Sequence, residues 1–580
     1  MKKMSVSTAE IVSDNASKTS LSFLAATSKA KFFELNKIGS RKLVLYLLFS
    51  FCFASLQTLG ETGPYGANIS AHLALLSFPL WFIGSLIAIF VFDKTIYGRS
   101  QQPKIKEPST LTESHQKRHL FLIAWILIVL PWIFNFLLMY PGCGTSDSAS
   151  SMQQALGLSQ LSNHHPVAFT AIVAIFLNIG NSLGNLEIGI ALYSTFTLVF
   201  LSLVCAYTCY WIYSRTESRL ALVCSVAFFT LNPIIGRYAI TMWKDIYFSG
   251  LLLLTILAFA DYARTKGAYL DSVQHRIYFA VIVLLTCIFR SNAPMVIVAS
   301  FAGSLLLYKS LRRKTYIATI SIPIVLSIII TGPFYSSLGI EKADTSEAFG
   351  LPIQQIANVV ANDGEFSDDS RGYLSRLFDF SEIKDVYKPT LSNPVKWADS
   401  FDNEYLNSTK AEFLKVWVCT FPDNVSLYIK AWRDQTIGYW YPVDNWITSP
   451  SGYYVDESMD LYSSNSAHWP DELNNEGTSL IGFESIANAL KNTEYDFVRL
   501  QPFLHPFFNI ACMVWITLGA FTLMLANRNP YSLAILPLIA LWLTMLAATP
   551  TYCEFRYMFA FHLALPLVIS LLVFKPACRS

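Results

Sequence analysis

The sequence predicts a polytopic α-helical membrane protein, with about twelve transmembrane helices and a large extracytoplasmic domain. Three observations carry that expectation. The 580-residue chain is 53% hydrophobic and only 14% charged, with mean hydropathy +0.41, too little charge to coat a soluble protein of this size. Apolar stretches long enough to cross hydrocarbon recur along it. Charge is also segregated: residues 335–502 hold 26 acids against 12 bases, and the remainder holds 14 acids against 30 bases. An acidic soluble module set among basic anchoring loops gives that split.

The elements follow in chain order. Residues 1–40 are rich in Ser, Thr and Lys without an early apolar run, so they read as a cytosolic polar tail rather than a signal peptide. Spans near 43–60 and 71–93, with a basic cytosolic loop, make up segment 41–118. Spans near 119–139, 188–213, 220–236, 244–260 and 316–335 delimit a core at 119–335, whose first loop is 140–187. Within that core, 277–308 is broken at Arg290-Ser-Asn-Ala-Pro294 and reads as two short helices meeting at the break. A domain at 336–502 follows, with short helical patterns such as 402–420, hence mostly α or α+β. Spans near 503–526, 530–548 and 557–574 complete segment 503–580.

Orientation comes from the basic segments, which favour the cytosolic side. Both termini in the cytosol place every one of them inside, provided 166–180 is no full crossing. That stretch is about 15 residues long and ends in the polar run Asn181-Ser-Leu-Gly-Asn185, so it reads as a juxtamembrane helix on the outer face. The exterior then holds 140–187, short loops near 237–245, 290–293 and 549–556, and the domain 336–502. Of the ten cysteines only Cys143, Cys419 and Cys553 fall in exterior loops, so there is no disulfide framework. The domain's aromatic runs, including Tyr439-Trp-Tyr441 and Tyr453-Tyr454, read as its own core or membrane contact ahead of platforms for sugar stacking.

With that topology, polar residues collect at outer helix ends. Asp147 ends the run Tyr140-Pro-Gly-Cys-Gly-Thr-Ser-Asp147, and His164 and His165 stand in Asn163-His-His-Pro166. Arg237 and Tyr238 end one span, Trp243, Lys244 and Asp245 begin the next, Arg290 and Asn292 mark the break, and Glu554, Arg556 and Tyr557 occupy the last loop. Any one of them reads equally well as an interfacial anchor. As a set they are less ordinary, because Arg237, Lys244, Arg290 and Arg556 are cations on the side that the topology disfavours. An anionic ligand at the outer leaflet explains them, and a lipid phosphate pairs naturally with Arg and Lys donors. There is no Gly-rich phosphate loop, and nothing points to nucleic acid.

The order of these features resembles the GT-C superfamily of polyprenyl-phosphate-dependent glycosyltransferases. Its members have an Asp in the first exterior loop, then a His-Pro or Pro-Pro juxtamembrane helix, then a long span. Here that sequence is Asp147, then His164-His-Pro166 with its helix, then 188–213. The Trp243-Lys-Asp245 and Glu554-Phe-Arg-Tyr557 segments are similar to ones recurring in bacterial members. The resemblance covers about 119–335 and 503–574. It implies an inverting transferase in a bacterial cytoplasmic membrane with its site facing outward. Asp147 would be the base and Lys244, Arg237, Arg290 and Arg556 would stabilise the departing lipid phosphate. The implied partners are a polyprenyl-phosphate-linked sugar and a glycan, lipid or protein acceptor. One departure stands out. The common Asp-Glu pair is replaced by Asp147-Ser148, leaving the second acidic role unfilled or moved to Asp245 or Glu554.

His164 and His165 either orient sugar or acceptor by hydrogen bonding, or one of them joins Asp147 on a divalent metal. Consecutive helical residues point about 100° apart, which disfavours both on one ion; no cofactor is certain. Two rivals share parts of the pattern. A carrier would show polar residues at midplane and two similar halves. A polysaccharide polymerase or ligase would transfer a chain from a diphosphate-linked donor. The Asp147 position and the His-Pro helix favour the glycosyltransferase.

Overall fold

A computed structural model describes residues 39–64, 70–98, 104–105, 111–308, 314–443 and 505–576. The polar tail, Trp446, Trp469, Tyr453 and Tyr454 lie outside the described residues. Among those described, the molecule is an α-helical membrane protein, and seven helices are long and apolar enough to cross a bilayer.

The first two, α1 (Ser40–Glu61) and α2 (Ala71–Tyr97), pack on each other as a hairpin. Almost none of α2's apolar surface is buried, as expected of a helix facing lipid. Next come α3 (Leu111–Leu138), the short α4 (Ser146–Ala155) and α5 (Val167–Ser182), then the long α6 (Leu186–Thr216). The stretch expected to lie flat on the outer face is α5. It folds back onto the first turns of α6, where Gly180 and Gly189 bring the two backbones into contact and a Cβ on either would collide with the other helix.

The expected span at 220–236 is two pieces, α7 (Arg219–Leu231) and α8 (Pro233–Tyr238). Pro233 starts the second, and the Asn232 side chain caps it by accepting from Ile235 N–H at 3.2 Å. The central helix is α9 (Lys244–Arg264), apolar on every side and buried along nearly its whole length. The broken region appears as expected: α10 (Val273–Ile288) and α11 (Ala293–Leu307) flank Phe289–Asn292. A span at Lys314–Ser337 follows, comprising α12 (Lys314–Ile329), a π turn at Ile330–Phe334 and a last short turn.

Residues 345–443 form a helical module with its own core, built chiefly on α13 (Gly350–Ala361), α14 (Asp368–Leu377), α15 (Lys410–Thr420) and α16 (Val425–Thr436). Its exit segment, a 3-10 turn at Ile437–Tyr439, enters the bundle, so Tyr439 and Trp440 are fully buried and belong to the membrane core rather than to a sugar-binding face. Trp542 Nε1–H donates to Tyr439 O at 2.9 Å, and Trp515 Nε1–H to Trp440 O at 2.7 Å. The chain returns through α17 (Ile510–Ala526), α18 (Ser532–Ala548) and α19 (Phe555–Val573). A two-residue parallel pairing joins Lys104–Ile105 to Lys575–Pro576.

Candidate functional site

Four segments meet at one end of the bundle: 140–148, 161–166, 240–245 and 549–557. The first is fixed by backbone pairing. Cys143 N–H donates to Ile240 O at 2.9 Å, and Met242 N–H donates to Cys143 O at 2.8 Å. Gly142 makes the approach possible. Its φ of 140° disfavours a side chain, and a Cβ there would collide with Ser194 Oγ.

The chain then enters α4 through a cap. Ser148 Oγ accepts from Thr145 N–H at 2.9 Å and donates to Met242 O at 2.7 Å, while Trp243 Nε1–H donates to Thr145 Oγ1 at 2.7 Å. Asp147 is thereby set in the first turn of a helix, where the backbone dipole favours a carboxylate.

Its partners come from far along the chain. Arg556 Nη1 lies 2.7 Å from Asp147 Oδ2 and Lys244 Nζ lies 3.6 Å from the same oxygen. Lys244 also donates to His165 Nδ1 at 2.7 Å. The Arg556 guanidinium lies over the rings of Trp243 and Tyr557, both 5.2 Å from its carbon. Stacking of this kind is a reason for Arg rather than Lys at that position. Glu554 Oε1 is 3.5 Å from Arg556 Nε. Beside them Arg290 Nη1 pairs with Asp245 Oδ1 at 2.6 Å, and its guanidinium carbon sits 4.9 Å from the Tyr557 ring.

The 549–556 loop owes its position to the helical module. Ser392 N–H donates to Pro550 O at 3.0 Å, Tyr552 N–H to Thr390 O at 3.0 Å, and Gln435 Nε2 to Thr549 O at 2.7 Å. Gly438 packs against Cys553 so closely that a Cβ would lie 2.6 Å from Tyr552 O. The histidine loop is held from the other side, by Asn163 N–H to Glu341 O at 2.8 Å and Glu341 N–H to Leu161 O at 3.1 Å.

Charge follows from this packing. Burial works against ionisation of Asp147, but Arg556 and then Lys244 outweigh it and hold the carboxyl well below the usual carboxylate range. Burial, with the adjacent Lys244 ammonium, pushes His165 down to about 3, so it is a neutral acceptor. Burial pushes Glu554 up to about 7, with Arg556 opposing and the Asp245 and Asp147 carboxylates reinforcing. Asp147 is the most accessible carboxylate of the group, its side chain 26% exposed against 2% for Asp245.

The sequence-derived set is therefore divided. Asp147, His165, Lys244, Glu554 and Arg556 form one cluster, and Asp245 with Arg290 backs it. Arg237 is buried at the root of the Cys143 segment, with Nη1 3.5 Å from Cys143 Sγ. His164 is exposed, its ring edge-on to His165 at 4.7 Å. Thr145 and Ser148 were not singled out as site residues. Their signal is a hydroxyl pair three apart before a short helix, a weak capping pattern. Among the described residues, no group of three or more His, Cys, Asp or Glu is placed to hold a metal ion.

The model of a family of unknown function (DUF6020) matches residues 157–575, well over half of the chain. The chain belongs to that family. The DUF6020 stretch contains His165, Lys244, Asp245, Arg290, Glu554 and Arg556, while Asp147 lies just ahead of it. No curated protein and no solved structure matches the chain.

Proposed function

We propose that this protein is an inverting glycosyltransferase that moves a sugar from a polyprenyl-phosphate donor to an acceptor at the outer face of the cytoplasmic membrane. The observation that carries the reading is the Asp147 carboxylate, partly accessible, with Arg556 at 2.7 Å and Lys244 at 3.6 Å from one oxygen. Both cations sit in the first turn of their helices, α19 and α9, whose N-terminal ends add positive potential. The resemblance to the GT-C superfamily in the order of these segments supports the same reading. In it the chain has about twelve transmembrane helices, with both termini cytosolic.

The chemistry needs a base and a cationic site in contact. The acceptor oxygen attacks the anomeric carbon, and its proton passes to the free oxygen of Asp147. The bond from that carbon to the phosphate oxygen breaks with its electron pair on the phosphate. Arg556 and Lys244 stabilise the added charge. While both cations rest on Asp147 the carboxylate is a weak base. A phosphate that draws them away raises its basicity as it arrives, so the donor prepares the base it will need. Neutral His165 holds Lys244 by its side and removes no charge from the site.

The test is transfer from polyprenyl-phosphate sugars by purified protein in lipid. Asp147→Asn with its fold intact is expected to lose about 10²–10⁴-fold in rate. Equal transfer by wild type and variant removes Asp147 from the role of base.

A further inference from the structure

Among the described residues, four buried atoms of charged side chains have no hydrogen-bond partner in the protein: Arg215 Nε, Asp245 Oδ2, Glu554 Oε1 and Arg556 Nε. Three of the four lie in one place. Asp245 contributes one oxygen to Arg290 and leaves the other unused. Glu554 Oε1 and Arg556 Nε form an ion pair at 3.5 Å but no hydrogen bond. The Arg290 and Arg556 guanidinium carbons lie 4.9 and 5.2 Å from the Tyr557 ring, and the Asp245 carboxylate acts electrostatically on both Glu554 and Arg556, which groups the three atoms. Unsatisfied buried polar groups cost enough that each calls for an explanation, and here the explanation has a definite polarity.

The three atoms offer two acceptors and one donor. Their complement must carry at least two donors and an acceptor on neighbouring atoms. An ionised phosphate has acceptors only and is repelled by both carboxylates. A metal ion would use the carboxylates but not Arg556 Nε, and the three acids of the site are not grouped as ligands for one. Adjacent hydroxyl groups fit, because each is donor and acceptor at once.

We infer that Asp245, Glu554 and Arg556 Nε form a hydroxyl-binding subsite for the ring of a neutral sugar, separate from the phosphate-facing Nη1 edge of Arg556 and Lys244. This rests on the proposed reaction and deepens it by assigning the sugar its own contacts. Arg556 becomes the hinge between the two halves of the donor, with one edge toward sugar hydroxyls and the other toward phosphate. Glu554 also takes the second acidic place left open by Ser148, as a binding group with no proton to move. Its elevated titration suits that role, since a protonated Glu554 donates and accepts and its ionised form accepts twice.

Binding of three probes to full-length protein in lipid nanodiscs tests this: polyprenyl phosphate, its hexosyl diester, and the methyl glycosides of glucose, galactose and mannose. Wild type is expected to bind the hexosyl diester at least about tenfold more tightly than polyprenyl phosphate, and to bind one of the methyl glycosides. Glu554→Leu is expected to erase the tenfold increment and the glycoside binding, leaving the affinity for polyprenyl phosphate unchanged. Glu554→Gln, which keeps an acceptor, is expected to retain most of the increment, and a cooperative thermal transition in each variant excludes misfolding. The inference is overturned if the increment survives in Glu554→Leu, if wild type shows no increment, or if Glu554→Leu weakens all three probes alike. Glycoside binding that depends on Glu554, without binding of polyprenyl phosphate, supports the subsite and removes the lipid-phosphate donor.

Discussion

The two ends of α9 hold similar ingredients in different states. At the C-terminal end Asp261 lies between Arg215 and Arg264 beside Trp211. At the N-terminal end Asp147 lies between Arg556 and Lys244 beside Trp243. The first cluster is nearly closed, with Arg215 Nε its one buried charged-group atom lacking a hydrogen-bond partner among the described residues. Asp261 Oδ2 accepts from Trp211 Nε1–H at 2.9 Å and from Arg215 at 3.2 Å, while Oδ1 accepts from Arg264 at 3.3 Å. All of its members come from regular turns of α6 and α9, and they offset the unfavourable position of an acid at a helix C-terminus. The second cluster is drawn from four separate segments and leaves three charged-group atoms without hydrogen-bond partners. The clamp satisfies both oxygens of its acid, whereas the open cluster leaves oxygens of two acids for a ligand.

That contrast is broken most sharply by matched substitutions. Asp147→Asn is expected to remove transfer by about two to four orders of magnitude per folded molecule, alongside a loss of stability from its two unpaired cations. Asp261→Asn should lower stability without the loss of transfer. It leaves two partly buried cations without their acid and costs about 3 kcal/mol of stability, read as a lower melting temperature, with near-normal turnover in the folded fraction. If Asp261→Asn abolishes transfer in well-folded protein, the two ends do not differ in kind.

The next effect concerns how the open cluster is held. Gly142→Ala forces a left-handed backbone onto a residue with a Cβ and drives it into Ser194 Oγ. The displaced segment carries Asp147 away from Arg556. A misplacement near 1 Å is expected to lower transfer about a hundredfold, whatever it does to stability. A variant that folds and transfers normally would show that the Cys143–Ile240 pairing does not set the site.

A third, smaller effect separates the ends by pH. Glu554 is raised from its ordinary value to about 7, so the folded state prefers it protonated. Its contribution to stability is fully present below its unfolded value near 4.5 and lost as pH rises through about 7. Relative to Glu554→Gln, wild type should therefore melt progressively lower between these pH values, and the gap should level off above them. A constant gap from pH 4 to 9 would mean that Glu554 has its ordinary acidity.

How much of this was legible from sequence depends on the kind of interaction. The break at Arg290-Ser-Asn-Ala-Pro294 and the membrane character were readable, because Pro position and apolar run length are local properties. The piecewise helix at 219–238 was less so. Its break is set by the Asn232 side chain, which also meets His562 Nε2 at 2.7 Å across the bundle. For the site, residue type and chain order picked out Asp147, Lys244, Glu554 and Arg556. They did not separate Arg237, which looks identical to the other cations in sequence but is buried against Cys143. Only pairing across about 94 residues of chain distinguishes it. The role of the 345–443 module as the support of the last loop was likewise hidden, since Ser392, Gln435 and Gly438 act through backbone atoms of residues 549–553 and carry no motif.

The smallest expected effect tests whether Ser148 is part of the chemistry or only of its frame. In the sequence pattern that this chain resembles an acid follows the Asp, and a hydroxyl there reads as its weak replacement. Ser148 is fully buried, and its oxygen is already engaged by Thr145 N–H and Met242 O. A group so occupied has no proton left to donate to a ligand. Ser148→Ala should therefore cost about 1–2 kcal/mol of stability, for two lost hydrogen bonds, and lower transfer by less than about fivefold, because Arg556 and Lys244 still hold Asp147. A loss approaching that of Asp147→Asn, in protein that melts normally, would put Ser148 among the reacting groups and return the second acidic role to position 148 instead of Glu554.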